Sequence, residues 1–311
     1  MELRKDYILD RWVIIAEKRN HRPVEFKEEK VNHAHSCVFC PGNEEKTPEE
    51  ISRVQKNGKW KIRVIPNKFA AVSKEKPFKI SESGIYTQSE AYGSHEVIIE
   101  TPNHEKRFSE QNESDLISIL KTYAERISEI EKDKQIKYVS VFKNEGEDAG
   151  ASIFHSHTQI ISLPMMPKDI SEKIKSSKKS KSCPYCEIVK RERKSKRKCF
   201  ENSDFLVFTP YASRFNYEVW IVPKKHLTRF ENFTENTYKN LASVLKKTMK
   251  KVKKISPSYN MLINYAPKGN DLHFHIEIIP RLSRWGGFEF ETGTIINTVS
   301  PESAAKYYTK K

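Results

Sequence analysis

His155-Ser156-His157-Thr158-Gln159 sets two imidazoles two positions apart, ahead of the apolar, β-prone run Ile160-Ile161-Ser162-Leu163. Side chains alternate along a strand, so an extended reading puts both rings on one face. One histidine can then bind a metal while its neighbour attacks phosphorus, and the Gln159 amide can donate to phosphoryl oxygens. Two ordinary strand histidines would spell the same five letters. The surrounding motifs decide between these readings.

Cys37-Val38-Phe39-Cys40 is a CxxC pair followed by Pro41-Gly42-Asn43. Two thiolates at that spacing hold one edge of a zinc tetrahedron, and histidines can supply the remaining two ligands. The second half of the chain repeats the pattern with Cys183-Pro184-Tyr185-Cys186 and His273-Phe274-His275. Between pair and cluster, Ile99-Glu100-Thr101-Pro102-Asn103-His104 is matched by Ile221-Val222-Pro223-Lys224-Lys225-His226. His104 precedes His155 by 51 positions and His226 precedes His273 by 47, whereas the cysteine-to-histidine connections are 64 and 40. The order therefore implies an internal duplication of about 150 residues, with the length difference mostly in one connection. We expect a first half, 1–176, carrying the chemistry and a second half, 177–311, that is mainly structural. Each would hold one Cys2His2 zinc site: Cys37, Cys40, His104 and His155, then Cys183, Cys186, His226 and His273. The competing explanation, cysteines with redox roles or none, does not account for the repeated order.

Positioning these groups requires alternating strands and a few helices. Residues 12–16, 61–65, 96–99, 137–142 and 155–163 read as strands, and 114–132 reads as an amphipathic helix. The second half mirrors them, with strands over 205–209, 217–222, 261–265 and 272–279 and a helix over 234–254. Antiparallel strands with helices laid on one side indicate an α+β fold rather than a doubly wound parallel one. The expected architecture is two tandem halves, each an antiparallel sheet with helices packed on it.

Composition narrows the class. A chain of 311 residues can bury an ample core. No apolar run approaches bilayer length, and the charged start Met1-Glu2-Leu3-Arg4-Lys5-Asp6 lacks the apolar region of a signal peptide. Four of the five cysteines lie in CxxC pairs, which suits a reducing, cytoplasmic setting where thiolates meet metal; Cys199 is assigned no role. The net charge is +15, and much of it falls between Lys173 and Lys198. Such a run reads as a solvated face or linker. Nucleic acid is the sharper alternative for a basic patch, but the motifs point to a small phosphate ester and no compact finger spacing is present.

The ordered motifs resemble the galactose-1-phosphate uridylyltransferases of the histidine-triad superfamily over nearly the whole chain. The residues that carry the resemblance are Arg19-Asn20-His21-Arg22-Pro23, the first CxxC, Pro66-Asn67-Lys68-Phe69-Ala70-Ala71, Thr101-Pro102-Asn103-His104, Phe142-Lys143-Asn144-Glu145-Gly146, Gly150-Ala151-Ser152 and the His155–Gln159 segment. The resemblance implies that His157 takes UMP from UDP-glucose and passes it to galactose 1-phosphate, a reaction of galactose metabolism. It further implies that Arg19, Arg22, Asn67, Asn144, Gly150, Ser152, Gln159, Phe288 and Glu289 bind substrate. A homodimer, with the arginines reaching into the partner's site, is implied in the same way. The physical logic stands beside it. A neutral imidazole is a good nucleophile near pH 7 and, once phosphorylated, a good leaving group. Its other nitrogen needs a fixed tautomer, which carbonyls near His155 could provide. In the second half Glu277 stands where Gln159 stands in the first, and a carboxylate there repels phosphoryl oxygens.

Near the C-terminus Ser283 and Arg284 precede Trp285-Gly286-Gly287-Phe288-Glu289, where the family has a lysine and an aromatic residue. Phe39 stands one position later than the family's aromatic. Related adenylyl-transferring phosphorylases of ADP-sugars share this kind of C-terminal segment. Such a phosphorylase, or a dinucleotide hydrolase, is therefore the alternative activity. A zinc-dependent binder without catalysis is a third reading.

Overall fold

The computed structural model describes residues 1–21, 37–179 and 182–310. Its strands, in chain order, are β1 (Glu2–Lys5), β2 (Trp12–Ile15), β3 (Ser52–Lys56), β4 (Lys59–Pro66), β5 (Ser81–Ser83), β6 (Tyr86–Gln88), β7 (His95–Ile99), β8 (Tyr138–Glu145), β9 (His157–Leu163), β10 (Lys198–Glu201), β11 (Phe205–Phe208), β12 (Val219–Pro223), β13 (Tyr259–Asn264), β14 (His275–Pro280) and β15 (Ile295–Asn297). Its helices are α1 (Glu113–Ile130), α2 (Lys168–Lys179), α3 (Pro184–Glu192), α4 (Glu235–Ile255), α5 (Gly287–Thr292) and α6 (Pro301–Thr309).

Ten strands form one sheet in the order β10-β11-β12-β14-β13-β8-β9-β7-β4-β3. Read outward from its middle, each half of this sheet has the same order. The halves meet where β8 pairs antiparallel with β13. Phe142 pairs with Gln159 in the first half and Leu262 with Glu277 in the second; across the junction Phe142 and Leu262 pair with each other. Each is the other's counterpart, so a pseudo-twofold axis passes through that pair. The duplication read from motif order is thus also one of topology.

The long helices α1 and α4 are equivalent too. Asn112 caps the first by accepting from the Asp115 N–H, and Thr234 caps the second by accepting from the Thr237 N–H. Leu116, Ile119, Tyr123 and Ile127 of α1, and Leu241, Leu245, Met249 and Val252 of α4, face the same side of the sheet. They recur at three- and four-residue spacing, so one stripe of each helix is buried.

Helices do not lie on one side only. The short helices α2 and α3 cover the opposite face, where Ile170, Ile174, Tyr185, Ile188 and Val189 pack with Leu206, Phe208, Trp220 and Val222. The sequence carries the reason: every residue of β11 and β12 is buried, so these strands need cover on both faces. Lys173–Lys198 is likewise not simply a solvated run. Lys173 is 7% exposed and sits 2.7 Å from Glu277, and Arg197 bridges Glu192 and Glu302. A smaller sheet, β1-β2-β15, contains one parallel pair and packs Val13 and Ile15 against Ala212 of the second half.

The turn after β8 binds the two halves more closely. Gly146 has φ of 80°, and a Cβ there would meet the Ser258 side chain and come within 2.9 Å of its Cα. Gly146→Ala is expected to cost at least about 1–3 kcal/mol from backbone strain alone, read as a lower denaturation midpoint at unchanged m-value.

Candidate functional site

Strand β9 begins at His157, and His155 lies in the bend just before it. Both rings nonetheless face Phe39 of the CxxC turn, at centroid distances of 5.5 and 6.2 Å. That turn is held by Asn43, whose side-chain amide donates to the Cys37 carbonyl. His155 Nδ1 lies 3.7 Å from Cys37 Sγ and 3.6 Å from Cys40 Sγ, and His104 Nδ1 lies 3.4 Å from Cys40 Sγ. A tetrahedral zinc with ordinary S and N bond lengths separates its ligands by about 3.5 Å, so these residues fit such an ion. The outward nitrogen of His155 is 2.7 Å from the Thr101 carbonyl, which sets the tautomer that turns Nδ1 toward the thiolates.

The second group matches it closely. Cys183, Cys186, His226 and His273 bring their donor atoms together, with three sulfur–nitrogen distances of 3.6 Å. His273 Nε2 is 3.0 Å from the Pro223 carbonyl and His226 Nε2 is 2.8 Å from Asp271. Burial and the neighbouring Cys183 push the Cys186 thiol up to about 12, so a cation is needed to hold both sulfurs as thiolates. Two Cys2His2 groups able to bind metal are therefore present.

His157 differs from the ligands. Its Nδ1 is 2.8 Å from the carbonyl of His155, which requires the proton on Nδ1 and leaves Nε2 as the free lone pair. Nε2 carries no hydrogen bond among the described residues, and the residue is 6% exposed. Burial, with the Lys143 ammonium second, holds the His157 pKa below the ordinary imidazole range and keeps the ring neutral.

Gln159 projects from the same strand face two residues on, and its Oε1 lies 2.9 Å from His95 Nε2. The Ala71 N–H donates to His95 Nδ1, so the His95 proton sits on Nε2 and is donated to Gln159. Asn67 Nδ2 lies 3.0 Å from that same nitrogen. Both are donors, so that contact is no hydrogen bond: His95 fixes the Gln159 oxygen, while the Asn67 oxygen accepts from the Phe69 N–H. The sequence signalled His95 only as an alternating polar position opening a strand. Asn144 accepts from Asn260 of the second half, which also donates to the Ala149 carbonyl. Gly150 follows in the left-handed conformation, φ 82°, with the Asn144 amide near it, and Ser152 is exposed beyond it.

Other expected site residues lie elsewhere. Arg19 is exposed in the turn after β2. Phe288 and Glu289 belong to α5, where Glu289 caps its own helix by accepting from the Gly286 N–H. None of their hydrogen bonds or ring contacts among the described residues reaches His157. Arg22 lies outside the described residues.

The counterpart of the His157 site is closed. His275 is fully buried between Tyr185 and Trp220, with ring centroids at 4.7 and 5.4 Å. Glu277 faces Lys173 at 2.7 Å and Arg214 at 2.9 Å. Burial alone would raise the Glu277 carboxyl, but these cations hold it well below its usual range. A phosphate would meet an anion behind a plug of aromatic rings.

The chain matches the sequence model of a family described as "Galactose-1-phosphate uridyl transferase, N-terminal domain" over residues 1–167. Residues 182–286 match "Scavenger mRNA decapping enzyme C-term binding". Among curated relatives, an ADP-glucose phosphorylase of Arabidopsis thaliana is 35% identical, with 98% of this chain and 91% of the relative covered. A galactose-1-phosphate uridylyltransferase of Thermotoga maritima is 30% identical, with coverages of 98% and 97%. The crystal structure of the Arabidopsis phosphorylase with bound ADP-glucose superposes with a TM-score of 0.86 at 32% identity, covering 100% of this chain and 99% of that one. No helix among the described residues is long and apolar enough to cross a membrane.

Burial lowers His273 to about 4, against about 6.5 for a free imidazole. Below pH 6.5 the unfolded chain therefore takes up a proton that the folded chain refuses. With metal removed by a chelator, stability is expected to be greatest above pH 6.5. It should then fall by up to about 1.4 kcal/mol per pH unit for this histidine as pH drops toward 4, read from denaturant titrations across that range.

Proposed function

Because the chain belongs to the galactose-1-phosphate uridylyltransferase family, whose enzymes are of the nucleotidyltransferase type, we propose that it moves a nucleoside monophosphate from a sugar nucleotide to a phosphate acceptor by way of His157. The observation that carries this reading is the asymmetry of that imidazole: Nδ1 bound to a backbone carbonyl, Nε2 without a hydrogen bond among the described residues. Nε2 attacks the α-phosphorus, a P–N bond forms, and the P–O bond to the sugar phosphate breaks. The acceptor oxygen then attacks the same phosphorus and the imidazole leaves. The positive charge that develops on the ring is stabilised by the Nδ1–H bond to the His155 carbonyl. Gln159 can offer amide hydrogens to non-bridging oxygens, and Asn67, Asn144, Gly150 and Ser152 line the approach. Zinc, held by Cys37, Cys40, His104 and His155, would fix the segment before the nucleophile, and a second zinc on the other group would stabilise the distal half.

We read the donor as ADP-glucose and the acceptor as inorganic phosphate. This follows the 35% identity to the Arabidopsis phosphorylase, that protein's ADP-glucose-bound structure and the Ser283-Arg284 departure. Exchange of UMP between UDP-glucose and galactose 1-phosphate is the second reading, favoured by the 30% relative that matches over 97% of its own length. Arg19, Arg22, Phe288 and Glu289 would serve the site of a second copy, which makes a homodimer the functional unit. Four cysteines reserved for metal suit a cytoplasmic setting.

Incubation with ADP-glucose is expected to add AMP to the intact protein, and His157→Gly to abolish the adduct. His275→Gln should retain it. A UMP adduct from UDP-glucose alone would favour the second reading. Labelling of the His157→Gly variant would place the nucleophile elsewhere, and adduct turnover to free nucleotide without acceptor would identify a hydrolase.

A further inference from the structure

Beneath β9, on the face opposite the nucleophile, lies a fully buried ion pair. Lys143 Nζ is 2.7 Å from Glu100, and both side chains are wholly enclosed. The pair is wired to the backbone and side chains around His157. Lys143 donates to the His157 carbonyl at 2.8 Å and to Ser156 Oγ at 3.0 Å. Glu100 accepts from Ser156 at 2.7 Å, from Thr158 at 2.6 Å and from Tyr123 of α1 at 2.7 Å. The nucleophile is therefore gripped at its own peptide and at both neighbours.

The other half of the molecule shows what the fold requires at these places. From the Phe142–Leu262 correspondence, Lys143 becomes Ile263. From the paired histidines, Ser156 becomes Phe274 and Thr158 becomes Ile276. From the helix caps, Tyr123 becomes Leu245. β12, the counterpart of β7, ends in Ile221-Val222-Pro223 with no carboxylate. All of these replacements are buried and apolar. The same architecture is thus built without the polar network wherever no nucleophile has to be aimed. Desolvating two charges often costs more than their attraction returns, so apolar side chains would hold this core at least as well. The stability of the sheet gives no reason for the pair to be there.

We propose that Lys143 and Glu100 are positioning residues for His157, holding its peptide so that Nε2 stands in line with the scissile phosphorus bond. This inference rests on His157 being the nucleophile. Small displacements of a reacting group weigh heavily on rate and little on substrate affinity, so the effect belongs in kcat. The Glu100→Gln/Lys143→Met double variant removes both charges, while the new amide keeps its oxygen for Thr158 and Tyr123 and turns its N–H toward Ser156 Oγ. Glu145, 3.1 Å from Lys143 Nζ, keeps Arg107 at 3.4 Å as its cation.

Rates are measured per labelled site with ADP-glucose or UDP-glucose, whichever labels the wild type, alongside zinc content and thermal midpoint. The double variant is expected to keep its zinc and its midpoint, to change KM by less than about twofold, and to lose about 10- to 100-fold in kcat and in single-turnover labelling rate. The isosteric Thr158→Val, which removes one hydrogen bond to Glu100, should lose less in the same parameter. It decides the matter should the double variant not fold. Wild-type kcat in either folded variant overturns the positioning role. Absence of any adduct on the wild-type protein instead overturns the nucleotidyl-histidine reading on which it rests.

Discussion

The antiparallel pairing of β8 with β13 is the constraint from which the rest of the molecule follows. It makes one ten-stranded sheet of two five-stranded ones and places a pseudo-twofold axis at Phe142 and Leu262. The long helices α1 and α4, both CxxC pairs and both histidine pairs are disposed about that axis. The edges that β8 and β13 would otherwise expose are spent on each other, which satisfies a row of backbone groups and removes a site for unwanted association. Only the far edges, β3 and β10, end the sheet.

Against this symmetry the two halves have diverged in opposite directions on the two faces of the sheet. Around His275 the site face is crowded with Tyr185, Trp220 and the buried Glu277, Lys173 and Arg214, while the face beneath is plain hydrocarbon. Around His157 the site face is left open, with Phe39 at the ring edge in the place of Tyr185, and the charges lie underneath. At the two equivalent histidine positions buried charge thus lies on opposite sides of the sheet. In one half it fills the space beside His275, and in the other it lies beneath the strand that carries His157.

Much of this was legible in the sequence because metal ligands and strands leave short-range signatures. CxxC pairs, histidines at alternate positions and the three- and four-residue spacing in 114–132 are each local in sequence; both Cys2His2 groups come together, and α1 lies within two residues of its expected bounds. The parts that were not legible depend on contacts between distant segments. His95 gains meaning only when β7 lies beside β9, and Asn260 only when the second half reaches the loop after β8. Lys173 reads as one more lysine in a basic run until α2 places it against Glu277, more than a hundred residues away. The cover on both faces was written in the unbroken apolar strings of β11 and β12, whose periodicity does not say which side lacks a helix.

Asn260 has one further implication. It reaches across the pseudo-axis to hold both Asn144 and the Ala149 carbonyl, while Ser258 fills the space that Gly146 leaves vacant. The loop approaching His157 is consequently moulded by a neighbour whose own equivalent position, at His275, is closed. A gene fragment encoding the first repeat alone would yield a sheet with a raw central edge and an unsupported loop. The second repeat therefore supplies the partner strand and the loop contacts that the first could not obtain alone.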